Sequence, residues 1–81
     1  MQLTTGMMWF DNNQRVPLLQ KIREATEAYQ VKFGRRANIV YVNPAEVAPG
    51  LEAPSGVAVV PEATVLRHHL IVGVKERSPR R

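Results

Sequence analysis

The sequence predicts an α/β fold close to the α+β border: a small mixed sheet of about four strands with one main helix on one face, in the order β-α-β-β-β. Three observations lead there. Only one stretch has helical periodicity, with Leu18, Leu19, Ile22, Ala25, Thr26, Tyr29 and Phe33 recurring at spacings of three and four. Short runs rich in β-branched and aromatic residues lie on both sides of it: Met7–Phe10, Ile39–Val42, Val57–Val60 and His69–Val74. Glycine, proline and asparagine punctuate the chain between these runs.

In chain order, Met7-Met8-Trp9-Phe10 reads as a first strand, broken by Asp11-Asn12-Asn13, whose side chains suit a turn or a helix cap. The helix is expected over about residues 14–33, with Pro17 in its first turn and Gly34 as the residue that leaves it in a left-handed conformation. A second strand follows at Ile39–Val42 and, joined by so short a crossover, should run parallel to the first. Asn43-Pro44-Ala45-Glu46 has the pattern of a helix start with a capping box, which predicts one helical turn at about 44–48. The connection from Asn43 to Gly56 is long for so small a chain, and such loops often cover something. Val57–Val60, stopped by Pro61, and His69–Val74 are expected to pair antiparallel.

Eighty-one residues make one domain, assigned to residues 1–74, followed by a basic tail over 75–81. The charge is unevenly placed: the tail Lys-Glu-Arg-Ser-Pro-Arg-Arg has four cations and one anion, whereas the body has seven cations and six anions. With no cysteine, disulfides, thiolate zinc sites and thiol catalysis are excluded, and the composition fits a reducing, cytoplasmic setting. No apolar run approaches the roughly 20 residues of a membrane span, and the first residues lack the basic-then-apolar pattern of a signal peptide. No membrane association and no cofactor are expected.

Side-chain alternation sharpens the functional expectation. Neighbours along a strand point to opposite faces, so the second and fourth strands are apolar on both. One amphipathic helix covers one face. The other needs the long connection, with Val47 and Leu51, or another chain. The leading expectation is therefore a non-catalytic protein-interaction module that forms a homodimer or docks on a larger partner, with Val40, Val42, Ile71 and Leu51 as its contact face.

Two alternatives belong to other classes. Asp11 and Glu46 follow the first and second strands, the edge where α/β folds bind ligands, and two carboxylates there suit a divalent cation in a small hydrolase or nuclease. As residues of a turn and a capping box, both also have purely structural uses. His69 is a further catalytic candidate as a general base, although adjacent His68 and His69 point apart on a strand and cannot readily chelate one metal. No serine or threonine lies in a nucleophile motif, and no glycine-rich stretch has the spacing and lysine of a phosphate-binding loop.

The second alternative is nucleic-acid binding through Arg35, Arg36, Arg67, Lys75, Arg77, Arg80 and Arg81. Ser78-Pro79-Arg80-Arg81 resembles one Ser-Pro-basic-basic unit of histone tails, which implies contact with A·T-rich minor grooves over those four residues. Among the aromatic residues, Trp9 is the one expected to be free to stack on a base, the others being placed for core packing.

Overall fold

A computed structural model describes residues 5–47 and 50–75. It contains β1 (Thr5–Phe10), α1 (Leu18–Phe33), β2 (Ile39–Val42), a single 3₁₀ turn (Pro44–Glu46), β3 (Ala58–Pro61) and β4 (His69–Val74). One helix and a four-stranded mixed sheet, not closed into a barrel, make a small α+β fold.

The helix begins at Leu18, with the first residue of its apolar periodicity, and so later than the expected start at about residue 14. Asn13 Oδ1 accepts the Arg15 N–H at 3.0 Å and the Val16 N–H bonds to Asn13 O at 3.2 Å, so residues 13–16 are held as a turn. Pro17 is the extended residue before the helix, and its carbonyl accepts the first intrahelical bond from the Lys21 N–H at 3.1 Å. The other end is as expected: Gly34 has φ +73° and donates its N–H to Gln30 O at 2.8 Å, a conformation that costs a glycine nothing sterically.

The strand order is β1-β4-β2-β3. β4 lies antiparallel to both neighbours, with Met8 opposite Ile71 and Tyr41 opposite Ile71 on its other side. β1 and β2 therefore run in the same direction, as the crossover requires, but β4 separates them. The expected β3–β4 pair does not form; β3 pairs parallel with β2, Val40 opposite Val59. The reason lies in the two strands themselves. β4 is buried along its helix face and half-buried at His69 and Ile71 on the other, which suits a central position, whereas β3 is more exposed and ends in Pro61, which has no N–H for a second neighbour.

Two clusters fill the two faces. On the helix side, Ile22, Ala25 and Tyr29 pack on Val40, Val42, Leu70, Val72 and Val74, with Met7, Trp9, Val47, Leu51, Val57 and Val59 around them. On the other side, Val65 packs on Ile39 and Tyr41, with Val60 and Ile71 at the margin. The second face is thus covered over β2 by the connection between β3 and β4. The connection carrying Val47 and Leu51 joins the helix side instead.

Candidate functional site

Two regions gather the residues that could carry function. The first is the sheet edge where β1 and β2 end and β4 begins. Asp11 donates its N–H to His68 O at 2.9 Å, and Lys21 Nζ reaches from α1 to Asp11 O at 3.0 Å. Asn43 pins the same edge, accepting the Ala45 N–H and donating its side-chain N–H to Val65 O, both at 2.8 Å. Glu46 does not close a capping box. Its Oε2 accepts the His68 N–H at 3.0 Å and lies 3.4 Å from His68 Nδ1 and 3.8 Å from Arg67 Nε. His68 has φ +68°, a left-handed conformation that is uncommon for a residue with a Cβ, and the Glu46 carboxylate holds its N–H there.

A hollow of about 340 Å³ opens at this edge, lined by Leu18, Lys21, Glu46, Arg67 and His68 among others. The two carboxylates of this edge, of which Glu46 lines the hollow, serve the backbone: Asp11 Oδ1 accepts the Asn13 N–H at 2.9 Å, and Glu46 fixes His68. Of the expected catalytic candidates Asp11 and Glu46 do lie along one edge, but the histidine beside them is His68. His69 is turned to the helix-free face, where its ring lies 4.8 Å from that of Phe10 and its Nδ1 lies 2.9 Å from Arg67 O. Among the described residues no three His, Cys, Asp or Glu side chains converge as metal ligands, so the Asp11–Glu46 pair has no third donor of that kind.

The second region is the uncovered part of the helix-free face. Met8, Thr64, Val65, Leu66, His69 and Ile71 line an apolar groove of about 250 Å³ between β1, β4 and the connection that carries Val65. Met8 is 63% exposed, Phe10 57% and Leu66 69%. Of the expected contact face only Ile71 is here. Val40 and Val42 are under α1 at 0% exposure, and Leu51 is with them in the helix-side cluster. The correction follows from register: Tyr41 is opposite Ile71, so Ile39, Tyr41 and Ile71 share a face, and Val40 and Val42 must point the other way. The sequence held a signal for the missed residues, because Met8 and Phe10 alternate with Met7 and Trp9. Trp9 itself is not free to stack. It packs on the helix-side cluster, with its Nε1 buried and without a hydrogen-bond partner.

Among the described residues the basic side chains do not form one patch. Arg67 lines the hollow at the start of α1, whereas Arg35 and Arg36 follow the end of this 16-residue helix. At about 1.5 Å per residue those ends are roughly 24 Å apart. Lys75 is on the Arg36 side of the sheet, exchanging hydrogen bonds with the Asn38 side chain at 2.9 and 3.2 Å. Arg77, Arg80 and Arg81 lie outside the described residues. Among those residues no helix is long and apolar enough to cross a membrane. Comparison of the chain with protein-family models, with curated proteins and with solved structures finds no match.

Proposed function

We propose that the chain is a non-catalytic protein-interaction module whose contact surface is the β1–β4 half of its helix-free sheet face. The observation that carries this reading is the apolar strip of Met8, Phe10 and Leu66, exposed beside Ile71 around an open groove. Scattered exposed apolar residues are ordinary, but a contiguous patch on a sheet is the form a protein-binding surface takes. The reading is supported at the other region too, where Asp11 and Glu46 are engaged by backbone N–H groups as structural acceptors rather than presented to a substrate.

A photo-crosslinking amino acid placed at position 8 of the full chain tests this in the cells that express it. Position 8 is expected to give polypeptide adducts that the double variant Phe10→Ser/Leu66→Ser abolishes. Val31, 88% exposed on the outer side of α1, is the control position. Adducts at position 8 no more abundant than those at position 31 would overturn the reading.

A further inference from the structure

We infer that the interaction partner is a second copy of the chain, paired edge to edge through β1, the strand that borders this surface, to join two four-stranded sheets into one of eight strands. The inference rests on the interaction reading above and names its partner. β1 is a sheet edge, hydrogen-bonded to β4 on one side. The Asp11 N–H bond to His68 O continues the β1–β4 ladder by one residue, and bonded pairs in an antiparallel ladder fall on every second residue. Thr5, Met7 and Trp9 therefore bond to β4, while Gly6, Met8 and Phe10 direct their N–H and C=O groups outward, among the described residues toward no other strand.

Those three residues complement themselves. A two-fold axis at Met8 sets Met8 against Met8 of the copy and Gly6 against Phe10 in both directions, so each outward residue meets another and six main-chain hydrogen bonds form. The side chains agree with this register. The exposed Phe10 ring of each copy lies over exposed Gly6 of the other, where no side chain obstructs it, with Gly73 beside Gly6 in the sheet. Large meets small twice, and the two Met8 side chains meet at the axis. β1 contains no charge, so pairing sets no like charges opposite each other, and a strongly charged partner would find nothing on this strand to pair with. The other edge, β3, is also uncharged but has only four residues and ends in Pro61, which has no N–H to offer a neighbour.

The test uses the full chain, which has no cysteine of its own. Light scattering is expected to give a dimer mass at tens of micromolar. Under mild oxidation Met8→Cys should form a disulfide dimer, because a bonded antiparallel pair separates Cα atoms by about 5.5 Å, within disulfide range. Phe10→Cys should not couple to itself, its two copies being four residues apart along the axis strand, roughly 13 Å. Chains with Phe10→Cys and Gly6→Cys should couple when mixed. Met8→Lys, at an exposed position, should leave the melting temperature of the monomer unchanged and weaken self-association by about 100-fold. A monomer at tens of micromolar overturns the self-pairing, as does a dimer that Met8→Lys leaves intact and Met8→Cys does not capture. In either case adducts to another polypeptide at position 8 would keep the interaction reading, and their absence would remove both.

Discussion

The two faces of the sheet are covered by different means. On one, a 16-residue helix lays Ile22, Ala25 and Tyr29 across β2 and β4, and the connection after β2 adds Val47, Leu51 and Val57. On the other, a seven-residue link from β3 to β4 covers β2 with Val65 and goes no further. The difference follows from strand order. Because β4 sits beyond β2 from β3, the link must cross β2 and covers what it crosses. Nothing in the described chain has reason to cross β1. The exposed strip of Met8 and Phe10 is thus a product of topology, and no surplus of apolar residues is needed to explain it.

The largest expected effect lies on the helix side. Ile22→Ala removes a fully buried side chain at the centre of the main cluster and is expected to cost about 2–5 kcal/mol. In a domain of this size that is a fall in melting temperature of at least roughly 10 °C. Val65→Ala, on the other face, should cost less, about 1–2 kcal/mol for the two carbons lost and the space left behind. Leu66→Ala next to it, exposed in the groove, should change monomer stability by no more than about 0.5 kcal/mol. Thermal or denaturant unfolding of the three variants gives the order. If Val65→Ala costs as much as Ile22→Ala, the two faces contribute equally and the asymmetry between them does not hold.

The anchor of the covering link gives a sharper and smaller test. Glu46 accepts the His68 N–H where that residue is left-handed, at the end of the link. Glu46→Ala leaves a partly buried donor unpaired and should cost about 1–2 kcal/mol. Glu46→Gln keeps an acceptor oxygen and should recover most of the loss. Equal destabilisation by both variants would mean that the charge toward Arg67 and His68, rather than the hydrogen bond, matters at this anchor.

Much of this arrangement was legible in the sequence, and the remainder was hidden for identifiable reasons. Gly34 marked the end of α1 because a left-handed residue at a helix end is a local requirement. The division of β2 into Ile39/Tyr41 and Val40/Val42 followed from alternation, also local. Which pair the helix takes depends on the Tyr41–Ile71 register, set between residues thirty apart in sequence, and this is where the expected contact face went wrong. The central position of β4 was hinted at by its apolar character on both faces and by Pro61 in β3, yet chain proximity suggested pairing the two. At the site edge, Asp11 and Glu46 were placed by the strand-end rule, whereas the role of His68 rests on a left-handed conformation that no residue type at that position announces.

The smallest effect concerns acid. Glu62 begins the link over β2, and its Oε2 accepts the Thr64 hydroxyl at 2.9 Å and the Thr64 N–H at 3.3 Å. These bonds, the hydroxyl first, hold its carboxyl below the ordinary value of 4.5. A carboxylate depressed in the folded state contributes stability that is present above its unfolded value and lost as pH falls through the folded one. The group is exposed to solvent, so screening keeps the contribution slight. Melting temperature followed from about pH 5 down to pH 3 should therefore fall a little more steeply for the wild type than for Glu62→Gln. Thr64→Val, which removes the hydroxyl and leaves the backbone donor, should lie between them. Should Thr64→Val instead track the wild type across the window, the hydroxyl does not set the carboxyl and the Thr64 backbone N–H is the bond that lowers it.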